Sequence, residues 1–185
     1  MADPFVTTKG GLGVSLQIVG AEKATRRNEK LSAAVKLEIA QLITIAALNT
    51  ATKAKTGAAV DTGRLRASIF PAVAPNALAS EVRARARYAA FVEFGTGPLG
   101  ASTNKQQLPE GYSHGPGYFP PASALGRWAA RHGIRSGGFV VARRIAEQGG
   151  TRARPFLGPA FEEEGPVLRE AMQGVLDRAQ EASRR

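Results

Sequence analysis

Few residues in this chain have the chemistry for catalysis, and their spacing argues against it. The two histidines, His114 and His132, stand apart in sequence, and there is no cysteine. Zinc normally takes three or four ligands gathered from imidazole, thiolate and carboxylate, so a zinc site has too few donors. The best carboxylate pair is Asp61 with Glu93, which strand pairing could bring together as a metal or acid-base site. Each has a competing use. Asp61 suits a turn in which its carboxylate accepts backbone N–H bonds, and Glu93 in FVEFGT has no second acid nearby. His132, beside Trp128 and Arg131, reads as a helix-end residue near the negative pole of the dipole. Neither a GxSxG nucleophile elbow nor a GxxxxGK[ST] phosphate loop occurs. The GGLG at Gly10–Gly13 precedes a strand instead of following one, the wrong context for a phosphate cradle. The expectation is a non-enzymatic chain with no catalytic residue, cofactor or metal.

Charge is the other chemistry on offer. With 25 lysines and arginines against 15 acids, the net charge of +10 favours polyanions or acidic protein surfaces. Arg83, Arg85 and Arg87 alternate along EVRARARY, and seven arginines at 127, 131, 135, 143, 144, 152 and 154 face one acid, Glu147. Aromatic residues are only 6% of the chain and interleave poorly with the arginines, so base stacking on single strands is not signalled. Any contact with DNA is expected to be non-specific.

These side chains must be placed by a framework, which the hydrophobic periodicity outlines. The 185 residues suit a single domain. Val14, Leu16 and Ile18 alternate with polar residues as in a half-buried strand. Between about residues 25 and 55, Leu31, Val35, Ile39, Leu42 and Ala46 recur at helical steps, and Leu42–Leu48 is apolar nearly all round, predicting cover on more than one side. VDTGRLRASI then forms a turn or hinge, with Gly63 free to take a positive φ and Leu65 and Ile69 leading into the core. The alternation from Glu81 to Thr96 predicts one amphipathic strand, Val82, Ala84, Ala86 and Tyr88 on one face and the three arginines on the other. Residues 97–117 read as a long irregular loop, followed by two short helices, one within PPASALGRWAARHGI and one over Phe139–Glu147. Together, 97–150 form an insertion. A terminal helical segment follows, with a kink or restart at Gly165–Pro166. No stretch approaches the ~20 apolar residues of a membrane span, and MADPFVTTKG lacks the pattern of a signal peptide, so synthesis and use in cytosol are expected.

Three segments in this order, VDTGRLRASI at 60–69, YAAFVEFGT at 88–96 and TRARPFLGPAF at 151–161, resemble the tail-completion, neck or head-to-tail joining proteins of tailed phages. The resemblance covers about residues 25–180. It implies an α+β fold, a long helix packed on a small antiparallel sheet with an inserted helical segment and a C-terminal helix. It further implies a structural role at the head-tail junction, in contact with other neck and tail proteins and with no membrane. The apolar girth of Leu42–Leu48 and an arginine-rich insertion that could reach a neighbour's acidic Glu162–Glu164 predict, in addition, a homo-oligomeric ring around the DNA path. The location would be the virion, after synthesis in host cytoplasm. Asp61, Thr62, Gly63, Arg64, Leu65, Tyr88, Phe91, Glu93, Gly95, Thr96, Arg154, Pro155 and Phe156 would be fold and interface positions, Gly95 ending a strand and Arg154 pairing with Glu93. Arg83, Arg85 and Arg87 are candidates for the DNA path. A tail-terminator ring, and a nucleic-acid-binding regulator or nuclease, are the competing readings.

Overall fold

The long helix is the element on which the rest is built. The computed structural model describes residues 5–6, 14–18, 33–74, 78–108, 112–115 and 119–184, and in it helix α1 runs over Ala33–Gly57. The first turns expected of it, residues 25–32, lie outside the described residues. Ile39, Ile43, Ala46, Ala47, Thr50, Ala51 and Ala54 make its buried stripe at steps of three and four. Alanine dominates that stripe, which lets neighbouring elements approach closely. The one hydroxyl among them is satisfied locally, Thr50 Oγ1 donating to the Ala46 carbonyl at 2.7 Å.

After α1 the chain turns through Gly63, at φ 76°, into the short helix α2, Arg64–Ala67. Leu65 and Ile69 then enter the core, as the sequence predicts. Strands β1 (Phe5–Val6), β2 (Val14–Ile18), β3 (Ile69–Val73) and β4 (Ser80–Ala84) form an antiparallel sheet in the order β1-β2-β4-β3. β3 lies at the edge, where Pro71, which has no N–H to give, is tolerated.

The strand expected through Thr96 stops at Ala84. Ala84 pairs with Val14 and with Ile69, the first residues of both flanking strands, so no ladder remains beyond it. Arg85 N–H still reaches the Ser68 carbonyl at 3.0 Å, and Ala89–Phe94 then coils into helix α3. The paired alanines favour that helix. Gly95, at φ 73°, therefore terminates a helix and not a strand, its N–H returning 3.1 Å to the Phe91 carbonyl.

Two compact units result, one of residues 1–89 with 156–185 and one of residues 90–155. The first is α+β: α1 packs against β3, β4 and the terminal helix α7, Leu157–Ser183. Contacts of Lys53 with Glu164 and of Glu38 with Arg178 show that the two helices run antiparallel. Ile39, Ile43 and Val175 form the centre of their seam, with Val35, Leu42, Leu78, Met172 and Leu176 around it. α1 is long and apolar enough to cross a membrane, although the sequence pattern predicts no such stretch. Its packing makes it the central helix of this unit. α7 continues unbroken through Pro166, so the helix does not restart at Gly165–Pro166, one of the two outcomes the sequence predicts there. The carbonyl that loses its bond to Pro166 belongs to Glu162, which is exposed and can be served by water.

The second unit is helical. Residues 97–117 do not form a wholly irregular loop, for they open with helix α4, Gly97–Thr103, carrying Pro98 in its first turn. Helices α5 (Ala122–Arg131) and α6 (Gly137–Glu147) follow and pack chiefly on each other. Their approach is close because Gly138 has no side chain: a Cβ there would stand 2.0 Å from the Ala122 carbonyl oxygen.

Candidate interaction surfaces

The residues singled out in the sequence fall in both units. In the first, Asp61, Thr62 and Arg64 are exposed around the turn at Gly63, while Leu65 is buried. Phe156 is 2% exposed and its backbone lies beside the end of α1, since a Cβ on Gly57 would be 3.8 Å from it. Tyr88 is exposed.

In the second unit, the two later segments of the resemblance meet. Thr96 and Thr151 form an antiparallel bridge, with Thr96 N–H donating to the Thr151 carbonyl at 3.0 Å and Thr151 N–H to the Thr96 carbonyl at 3.1 Å. Their hydroxyls lie 2.9 Å apart. Gly95 is required at this junction, because a Cβ would come within 2.6 Å of the Thr151 carbonyl oxygen. Arg154 joins α3 through its backbone, its N–H donating to the Val92 carbonyl at 2.8 Å. Its side chain is exposed whereas that of Glu93 is buried. Pro155 is exposed, and Phe91 is half-buried with its ring 6.3 Å from that of Tyr112.

Tyr112 and His114, which no periodicity in the sequence marks, brace the same junction. The Tyr112 hydroxyl donates to the Gly95 carbonyl, His114 Nε2 lies 2.8 Å from the Phe94 carbonyl, and the Tyr112 and Phe94 ring centroids are 5.3 Å apart. His114 is thus engaged with backbone. Among the described residues, no group of three or more histidines and carboxylates could hold a metal ion.

Of the three arginines expected on one strand face, only Arg83 lies in β4, while Arg85 and Arg87 follow its end, and the charge of Arg83 is neutralised. Arg83 Nε donates to Glu81 Oε2 at 2.6 Å, and this bond raises the Arg83 pKa above its ordinary value. The Arg85 guanidinium sits 4.2 Å from the centre of the Phe70 ring. Glu81 alternates with Val82 along the strand and precedes Arg83 by two residues, so both charged groups share the face away from buried Val82 and Ala84. Between α1 and α7, Glu164 is buried and accepts from Asn49 Nδ2 at 2.8 Å and Lys53 Nζ at 2.9 Å. The hydrogen bond from Lys53 to Glu164 raises the lysine pKa, outweighing the opposing effect of desolvation. The use of Glu164 as the buried partner of α1 is not legible in sequence until the helix pairing is known.

The outer side of α1 is unexpected in another way. Leu37, Ile45 and Leu48 are each more than half exposed. They lie within about 80° of arc, opposite the buried stripe, by the turn of an α-helix. The sheet and α7 cover the other sides of the helix, and within the described residues nothing covers this one. A second apolar surface stands on the α5–α6 hairpin, where Phe119, Phe139 and Val140 are exposed and the two phenyl rings are 6.0 Å apart.

Comparison with known proteins bears on the stretch of chain that carries α1. Residues 22–95 match a phage tail-component family. Its description reads "Bacteriophage HK97-gp10, putative tail-component". The matched residues include α1, α2, β3, β4 and α3, so the tail-component resemblance rests on the long helix, the turn at Gly63 and the two C-terminal strands of the sheet. This agrees with the resemblance to phage neck and tail-completion proteins, although the 151–161 segment lies outside the match. The match supports a structural role in a virion in general terms. No match was found among curated proteins or among solved structures.

Proposed function

We propose that this protein is a non-enzymatic component of a virion neck, in which identical copies form a ring that joins the tail to the DNA-filled capsid and surrounds the DNA path. The observation that carries the reading is the outer face of α1, inside the residues matched to the tail-component family. A chain that folds with Leu37, Ile45 and Leu48 in water has a surface suited to a neighbouring subunit. Within that ring, Arg83, Arg85 and Arg87 are assigned to the DNA path. Arginine contacts to phosphate hold DNA without reading sequence, as a conduit requires.

The test is an Ile45→Glu and Leu48→Glu double variant. Both side chains are exposed, so the isolated protein should fold with an almost unchanged melting temperature. Particles made with it should lack joined tails. Normally joined particles, or a neck reconstruction containing a single copy of the chain, would overturn the ring.

A further inference from the structure

We infer that the exposed aromatic face of the α5–α6 hairpin, flanked by arginines, docks in trans on the acidic outer face of α7 of a second copy of this chain. The inference rests on the proposed ring and names the surfaces that would link its subunits. The hairpin presents Phe119, Phe139 and Val140 to water beside a strongly basic segment, seven arginines and one acid over residues 127–154. Arg143 and Arg144 share that acid, at 2.8 and 4.0 Å from Glu147. Arg127 and Arg135 are also exposed.

α7 has the opposite character, with six acids against two arginines over residues 157–183. Glu164 is occupied by Lys53 and Asn49 on the inner side. Glu163, Glu170 and Asp177 recur every seven residues and are exposed, a ridge along one side of the helix, and Glu163 also lies 3.4 Å from Lys53. Exposed Val167 lies between the first two. An apolar patch with a basic surround thus has a complement in an acidic ridge with an apolar residue in it. DNA fits less well, because phosphate neutralises arginine but offers nothing to a pair of exposed phenylalanines. The hairpin and α7 are different surfaces, so the contact is heterologous and can close a ring by repetition.

Two charge reversals test this in the full-length chain. One variant carries Arg127→Glu and Arg135→Glu, the other Glu170→Lys and Asp177→Lys; all four positions are exposed. Sedimentation at high protein concentration and low salt should show wild-type association. Each variant alone should associate more than about tenfold more weakly, as like charges are brought together. An equimolar mixture should recover association, because each hairpin then finds a complementary α7 only on the other variant. Wild-type chains that stay monomeric throughout this range, single variants that associate normally, or a mixture without recovery would each overturn the inference. So would hairpin variants that lose binding to duplex DNA while self-association is kept. Failure here with loss of tail joining in the α1 variant would leave the ring standing on another contact. Failure of both would remove the ring reading as well.

Discussion

The α1–α7 pair and the α5–α6 pair are both close associations of two helices, yet they are held by different means. Between α1 and α7, branched and long side chains such as Ile39, Ile43 and Val175 fill the seam, and a buried carboxylate is met by a lysine and an asparagine. Between α5 and α6, the approach is set by Gly138 and by buried Ala129 and Ala142, while the large apolar groups Phe119, Phe139 and Val140 remain outside. The first pair uses its hydrophobic residues to fold; the second leaves them available for contact. Stability should therefore be sensitive to side-chain volume in one region and to added volume in the other.

The largest effect is expected where the terminal helix begins. Phe156 is buried beside the end of α1, and truncation of a buried phenylalanine costs about 3–5 kcal/mol. At roughly 2–4 °C per kcal/mol for a chain of this size, Phe156→Ala should melt on the order of 10 °C lower. An unchanged melting temperature would break the description of this region as volume-dependent.

The hairpin should show the opposite sensitivity. Gly138→Ala places a methyl group 2.0 Å from a backbone oxygen, so α5 and α6 must separate, at about 1–3 kcal/mol for overpacking. Gly126→Ala meets nothing within 4 Å and should be neutral or stabilising by up to about 1 kcal/mol, as alanine is in a helix. Hydrogen exchange of α5 and α6 amides would report the pair: faster exchange in the first variant and unchanged or slightly slower exchange in the second. Equal effects would show that the close approach does not hold the hairpin.

A smaller effect sharpens the polar part of the comparison. Asn49→Ala removes one of two donors to buried Glu164 and should cost about 1–2 kcal/mol. Lys53 gives the pH dependence. Its pKa is raised in the folded chain above the ordinary 10.5, so its contribution is complete below that value and fades as pH rises through the folded one. Lys53→Met should therefore flatten the alkaline fall in stability above about pH 10.4, and an unaltered alkaline limb would show that the lysine contributes nothing measurable.

These contrasts also explain how far the sequence could be read. The long helix, the Gly63 turn, both hairpin helices and the strand at Val14–Ile18 were legible because each is a local pattern. The end of β4 at Ala84 is not legible, because alternation in Arg85, Ala86, Arg87 and Tyr88 says nothing about where the partner strands begin. The same blindness to pairing hid the role of Glu164 and the exposure of Leu37, Ile45 and Leu48, whose outward direction is set by the position of α7 and the sheet. Tyr112 and His114 contact the backbone of Gly95 and Phe94, a use of side chains that has no period to detect.

The smallest expected effect concerns the three arginines of the basic strip, which differ in what the fold has already done with them. Arg83 is paired with Glu81, so it adds little net charge, whereas Arg85 only stacks on Phe70 and Arg87 is exposed. Each phosphate neutralised adds about 0.9 to the steepness with which log binding constant falls against log salt. Arg85→Gln and Arg87→Gln together should reduce that slope by roughly 2, the number of uncompensated charges removed. Arg83→Gln should leave the slope nearly unchanged, because it removes a cation whose field is already cancelled by a neighbouring carboxylate. Duplexes of different sequence should give the same values. Equal losses from all three positions would mean that Glu81 releases Arg83 when DNA binds, and no loss from any would take the strip off the DNA path.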